Sequence, residues 1–524
     1  MEQSVKNKRT CGVLLPVFSL PSAHGIGCFS KEAYAFVDFL ASAGQSSWQI
    51  LPLGPTSYGD SPYQSFSTFA GNPYYIDLES LAAEGYLTKN DLRRDAMLWR
   101  GKETIDYASL YENRLALLRK AYREKPPMQG AMKSAYKRFV RDNAFWLKDY
   151  TLFMSLKDAH GGAPWSEWED ELKKRNTRAL SLARKKYADD IGFYLFVQFT
   201  FRRQWNALKH YANERGIDIV GDLPIYVAFD SADAWARPEL FELDEQRNPV
   251  RVAGCPPDDY ARTGQLWGNP LYKWNVHKKT GYEWWISRMK HALHVFDVVR
   301  IDHFRGFEAY YAIPASHETA EHGVWVKGPG MALFDALNRA LKADAEEKDA
   351  VKAPRLIAED LGFLTPGVHR LIEKTGYPGM KVLQFAFYPD ENGRFTSDYL
   401  PWQYGRNCVV YTGTHDNDTT RGWFSTLGKK ERAFVCTYLG TEENTTDEDA
   451  LADAVTDGMV RLALSSVADT AIIPLQDYLH LDERARVNTP STLGKNWLWR
   501  MPKGALTKAL AKRMRAMAEA YGRV

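Results

Sequence analysis

Four acidic residues stand at comparable places along this chain. They are Asp222 in IVGDLPIYV, Asp302 in VVRIDHFRGF, Glu359 in RLIAEDLG and Asp416 in VVYTGTHDND. Each ends or follows a short apolar run, where a strand would finish. One such carboxylate alone reads as a helix cap or a loop ion pair. Four gathered at one rim crowd like charges, and that joint pattern points to catalysis. Paired carboxylates serve glycoside cleavage, one as nucleophile or base and the other as a protonated acid. Arg300 lies two residues before Asp302 in one run, so both side chains take the same face. A guanidinium there favours the ionised carboxylate, as a nucleophile requires. Glu359 has only Arg355, four residues back, as a flanking cation, which makes it the expected proton donor with a raised pKa.

Metal chemistry is the rival. The run His415-Asp416-Asn417-Asp418 resembles a ligand set, yet it lacks EF-hand spacing and the loop glycine. No HExxH occurs. No catalytic metal is expected. Gly25-Ile-Gly27 has neither the third glycine nor the acidic residue of a dinucleotide site. There is no phosphate loop and no GxSxG elbow, so no cofactor is expected.

Bringing four carboxylates to one rim requires parallel strands that end together. Eight short runs qualify: 12–16, 48–53, 217–222, 296–302, 356–360, 381–387, 407–411 and 471–476. They do not alternate, as befits strands buried on both faces. Helical patterns such as 32–43 and 284–294 lie between them. The expected fold is α/β, a (β/α)8 barrel with chemistry at the C-terminal strand ends. Residues 1–80 would supply the first two strands and their loops. The gap before the third strand exceeds one crossover, and residues 81–209 read as a mainly helical insertion. Residues 210–524 complete the barrel. Within them, 228–282 reads as a long structured loop over the mouth, and 504–521 as a docking helix with Leu506, Leu510, Met514, Met517 and Tyr521 on one face. A membrane-surface role is not expected of it. The basic run 172–186 reads as a solvated helix face, because no aromatic residue interrupts it.

The chain has 524 residues and a net charge of +3, which argues against a nucleic-acid partner. Its aromatic content of 13% suits sugar faces and plain cores alike. Cys11, Cys28, Cys255, Cys408 and Cys436 form no CxxC pair. An odd count without a framework fits a reducing compartment. With no signal-peptide pattern and no apolar run near ~20 residues, a cytoplasmic protein is expected.

The motifs around these residues resemble glycoside hydrolase family 77, the amylomaltase or disproportionating-enzyme family of 4-α-glucanotransferases. The matching stretches include WQILPLGPTSYGDSPYQSFSTFAGNPYYIDL, IVGDLPIYVAFDSADAW, TGQLWGNPLYKW, VVRIDHFRGFEAYYAIPA, LIAEDLG, GTHDNDTTRGW and RVNTPSTLGKNWLWR. They run nearly the full length. The resemblance implies a (β/α)8 barrel with insertions and a retaining double displacement. It implies Asp302 as nucleophile, Glu359 as acid and then base, and Asp416 as the third carboxylate on the distorted sugar. It assigns Tyr63, Ser61, Asp222, Gln265, Trp267, Arg300, His415 and Asn488 to substrate binding. Residues 254–265 resemble the lid over the acceptor side, with Ala261 where some members carry an aromatic residue. Ser491 stands where many relatives have glycine. The implied partners are maltooligosaccharides and starch- or glycogen-type α-1,4-glucans, with glucose as an acceptor, acting on a monomer. An α-glucan hydrolase of the same barrel class and a non-catalytic glucan-binding barrel are the alternatives.

Overall fold

The computed structural model describes residues 9–124, 128–257, 261–347, 355–362, 364–441 and 447–524. Twelve strands occur among them. In chain order they are β1 (Thr10–Leu14), β2 (Ser47–Gln49), β3 (Asp218–Leu223), β4 (Arg251–Cys255), β5 (Gln265–Pro270) and β6 (Val298–Ile301), then β7 (Ala309–Pro314), β8 (Val324–Lys327), β9 (Arg355–Ala358), β10 (Gly379–Val382), β11 (Cys408–Tyr411) and β12 (Thr470–Pro474). Eight of these form one parallel sheet in the order β10-β11-β12-β1-β2-β3-β6-β9. The Ala358 N–H donates to the Pro378 carbonyl at 2.9 Å, so β9 meets β10 and the sheet closes. Seven coincide with the apolar runs of the sequence; the eighth run, 381–387, meets β10 only at its first two residues and then turns into a 3-10 helix at Leu383–Ala386. The architecture is a (β/α)8 barrel.

Burial on both faces explains why those runs do not alternate. One set of side chains fills the bore: Leu14, Val220, Ile357, Val382, Tyr411 and Ile472 among others. The alternate set, including Val13, Ile219, Val299 and Ile473, packs against the surrounding helices. Each buried aliphatic side chain contributes roughly 1.5–3 kcal/mol. Reversing the register of any stave would therefore exchange one buried set for another, and pleat and rim position, more than polarity, select the register.

Between β2 and β3 the chain is mainly helical. The helix Ala144–Ala159 buries Trp146, Tyr150 and Phe153, as their spacing predicts. The helix Thr177–Lys186 turns Leu180 and Ala183 inward and leaves Arg184, Lys185 and Lys186 in solvent. The helix Ala188–Glu214 runs unbroken across the 209/210 junction. At 27 residues it is about 40 Å long. Its Trp205 ring lies against Phe29, and its indole N–H reaches the Val295 carbonyl at 3.0 Å.

Over the mouth, β4 and β5 join β7 and β8 in an antiparallel sheet, ordered β5-β4-β7-β8. The sequence suggests only a loop at 228–282 and no strands at 309–327. The difference has a physical reason. This sheet is capped on one side by the core and open on the other, so Val324 and Trp325 on its edge are exposed, and the pattern is too short and mixed to read as a stave. The C-terminal helix is Lys508–Ala520, with Thr507 accepting the Leu510 N–H at its start. It docks through Leu510, Ala511, Met514, Met517 and Ala518. Among the described residues, no helix is long and apolar enough to cross a membrane.

Candidate active site

Strands β3 and β6 pair in a register that sets Asp222 directly across from Arg300. One guanidinium nitrogen, Nη1 of Arg300, donates to both Asp222 oxygens at 2.7 Å and reaches Asp302 Oδ1 at 3.0 Å. Arg300 and Asp222 are almost fully buried, whereas the Asp302 side chain keeps 27% exposure. Arg300 is thus a shared cation, bound first to Asp222 and turned toward Asp302 with what remains.

Tyr63 extends the cluster. Its hydroxyl donates to Asp222 Oδ2 at 2.7 Å and lies 2.7 Å from His415 Nε2. The two rings stack with centroids 5.4 Å apart. His415 Nε2 is also 3.3 Å from Asp416 Oδ1. With the Tyr63 proton committed to Asp222 and a carboxylate on the other side, the His415 proton belongs on Nε2. Asn488 donates its amide to Asp416 Oδ1 at 2.7 Å, and its backbone N–H donates to the His415 carbonyl. Asp222, Arg300, Asp302, Tyr63, His415, Asp416 and Asn488 therefore form one connected chain of contacts from three separate strand ends and two loops.

Glu359 enters from β9, next to β6. The residue after Asp302, His303, has φ +48, in the left-handed region that β-carbon sterics disfavour. That turn aims the His303 N–H at Glu359 Oε2, at 2.7 Å, while Oε1 accepts from Leu361 N–H at 2.8 Å. The carboxyl is therefore fixed against the peptide that follows the expected nucleophile. Arg355, its only nearby cation in sequence, turns away to an ion pair with Asp218 at 2.8 Å. Trp267 sets its ring edge-on to His303 at 4.8 Å, and its indole N–H donates to Gln265 Oε1 at 3.1 Å. Ser61 is the one assigned residue that stays local: its hydroxyl accepts the Tyr63 N–H at 3.2 Å and so shapes the loop carrying that tyrosine. Residues 258–260 of the lid stretch lie outside the described residues.

Burial pushes the Asp302 carboxyl above its ordinary value, and the charges of Asp222, Glu359 and Asp416 add to the rise. The Arg300 cation pulls the other way and loses. The expectation that Arg300 alone keeps Asp302 low is corrected on that ground: Asp222 takes most of the guanidinium, and desolvation outweighs the rest. Glu359 is also raised, first by burial, against the pull of Arg300 and its backbone donors. His415 is lowered by burial, consistent with a neutral ring.

Sequence reasoning passed over several supporting residues. Gln64 donates to the Trp267 carbonyl at 3.3 Å and to Asn269 Oδ1 at 3.1 Å, tying the Tyr63 loop to β5. Arg486 donates to the backbone carbonyls of Asn488 (2.8 Å) and Asp416 (2.9 Å), which holds both residues in place. Its place two residues before Asn488 was the available signal. Ser491 has φ +64, the left-handed region in which glycine sits without strain. Ser491→Gly should raise stability by about 0.5–1 kcal/mol in urea unfolding, leaving turnover unchanged. A loss of stability would show that the Ser491 side chain is itself a partner in the loop.

The chain matches the family described as 4-alpha-glucanotransferase over residues 15–507. It is 47% identical to the 4-alpha-glucanotransferase of Thermus thermophilus over 520 residues, covering 98% of this chain and 99% of that one. It is 43% identical to the 4-alpha-glucanotransferase of Clostridium butyricum over 509 residues, covering 97% and 99%. A solved structure, the amylomaltase from Streptococcus agalactiae in complex with acarbose, superposes with a TM-score of 0.90 at 39% identity, covering 98% of this chain and all of that one. An enzyme that transfers α-glucan segments is what these matches identify, and the chain belongs to glycoside hydrolase family 77, the 4-alpha-glucanotransferases.

Proposed function

We propose that the transfer proceeds by a retaining double displacement run by Asp302 and Glu359. An Asp302 carboxylate oxygen bonds to the anomeric carbon while Glu359 gives its proton to the departing glycosidic oxygen. Glu359 then takes the proton of an incoming glucan or glucose 4-hydroxyl. That oxygen bonds to the anomeric carbon, and the Asp302 ester bond breaks. Asp416, held by Asn488, and His415 bind the hydroxyls of the distorted sugar. Tyr63, Asp222 and Arg300 form the floor beneath it, and Trp267 with Gln265 borders the leaving-group side. The observation that carries this reading is the shared Arg300 cation, 3.0 Å from Asp302 and locked by Asp222, with Glu359 fixed on the adjacent peptide. The carboxyl groups are expected to stand roughly 5–5.5 Å apart, the separation of a retaining pair.

Transfer is favoured over hydrolysis when a sugar, instead of water, fills the acceptor side. Maltotriose should accordingly give glucose and longer maltooligosaccharides with no net gain of reducing ends. A steady rise in reducing ends would make the protein a hydrolase. The substrates proposed are maltooligosaccharides and α-1,4-glucans of starch or glycogen type, handled by a monomer in the cytoplasm. Light scattering on the purified protein checks the monomer.

The pH profile follows from the two raised carboxyls. Asp302 must be ionised, so rate falls as pH drops through its pKa. Glu359 must be protonated, so rate falls as pH rises through its own. Both lie above the ordinary 3.8 and 4.5, so the whole bell moves upward. kcat/KM at pH 4 should be below that at pH 6.5 by about tenfold or more. An optimum near pH 4 would contradict the burial of this pair.

A further inference from the structure

Behind the sugar floor lies a second space. A cavity of about 70 Å³ opens between the loops after β2 and β3 and the two long helices that flank them. Its walls include Tyr63 and Asp222 at one end and Phe201, Arg202, Arg288 and His291 at the other. One water needs roughly 10–15 Å³ of such volume, so the space admits a small ion together with several waters.

The inner end carries an unbalanced charge. Arg202 is 9% exposed and makes no ion pair with any described residue. Its Nη2 donates to His291 Nε2 at 3.0 Å, and its buried Nη1 has no partner. Burial alone draws its pKa down to about 10, so the group is still a cation at neutral pH. His291 is driven well below its ordinary value by burial and by Arg202, so it is a neutral acceptor and supplies no counter-charge. Arg288, also buried, spends its donors on Thr68 Oγ1 and on the carbonyls of Pro224 and Ile225. Asp233 is the one carboxylate close to Arg288, and burial lifts it to about 6. Asp222, across the cavity, is already committed to Arg300. Among the described residues, the inner wall thus holds two guanidiniums with one weak carboxylate acting on Arg288 from outside the lining, an excess of about one positive charge.

An unpaired buried cation destabilises the fold, and a donor left without a partner adds to the cost. We propose that this cavity binds one small monovalent anion of the halide class, held by Arg202 Nη1. Charge selects the class. The excess is a single charge, which a doubly charged oxyanion would overcompensate. The apolar neighbours Phe201, Ala292 and Val295 favour a weakly hydrated ion. The site is separate from the sugar-contacting residues apart from the shared wall at Tyr63 and Asp222. It does not depend on the assignment of nucleophile and acid.

The test uses the whole protein in sodium gluconate at constant ionic strength, with gluconate replaced stepwise by chloride or bromide. Tm should rise in a saturable way, by about 1–3 °C at saturation for a chain of this size. Crystals grown with bromide should show an anomalous peak within hydrogen-bond reach of Arg202 Nη1. Arg202→Met should lose the halide response and, in gluconate, be at least as stable as the parent, because the buried charge is gone. A flat wild-type titration, or only water beside Arg202 in bromide crystals, overturns the proposal. So does a saturable shift that persists in Arg202→Met. If that variant does not fold, the bromide map of the wild type decides the matter alone.

Discussion

Asp302→Asn is expected to reduce kcat/KM on maltotriose by on the order of 10⁵-fold, since removing a covalent nucleophile abolishes the intermediate itself. The substitution is nearly isosteric, and Arg300 keeps its two bonds to Asp222, so the site should stay formed. Stability should move the other way. The folded-state pKa of Asp302 is raised. A raised carboxyl holds its proton more tightly in the folded state, so its stabilising effect is full below the unfolded pKa. That effect is lost as pH rises through the folded value. An asparagine escapes that loss, and the variant should melt above the parent at pH 8. Activity within tenfold of wild type would remove Asp302 from the nucleophile's role. A lower Tm would show that its contact with Arg300 outweighs its desolvation.

Glu359→Gln separates the two halves of the reaction. On maltotriose the loss should be about 10²–10⁴-fold, the usual contribution of a positioned acid and base. A donor such as α-maltosyl fluoride departs without protonation, so the first step should survive. The glycosyl-enzyme should then accumulate, because the base for the second step is missing. Mass spectrometry of the quenched mixture would detect the added maltosyl group on Asp302. Equal losses on both donors, with no adduct, would place the proton donor elsewhere.

The barrel was legible because its staves are short, apolar and punctuated, and each run lies on or beside a strand, although 381–387 caught only the end of β10 and the turn after it. Asp222, Asp302, Glu359 and Asp416 were legible because rim carboxylates follow those runs. What escaped was pairing between distant segments. That Arg300 serves Asp222 before Asp302 depends on the β3–β6 register, which places residues 222 and 300 side by side. A strand read alone shows only that 300 and 302 share a face. Likewise, the bridge from Gln64 to Asn269 joins segments about 200 residues apart, and nothing local marks either amide. The mouth sheet was missed because its strands are half-solvated and lie inside what composition presents as a loop. Ser61 was carried with its motif, and its hydroxyl is used on the neighbouring backbone.

The helix Ala188–Glu214 has a mechanical consequence. It begins within the helical insertion, where Phe193 and Tyr194 are buried, and ends beneath β3, where Trp205 is pinned to Val295. Load on the insertion therefore passes straight into the barrel wall through a rigid rod. The insertion is anchored, not hinged: Trp165 also donates to the Phe229 carbonyl and the Ile105 N–H to the Leu498 carbonyl, so swinging it would require breaking these bonds as well as helical turns. Cutting it away at residue 209 would sever that rod five residues before its end, so the insertion cannot be unplugged as a module without loosening the stave that carries Asp222.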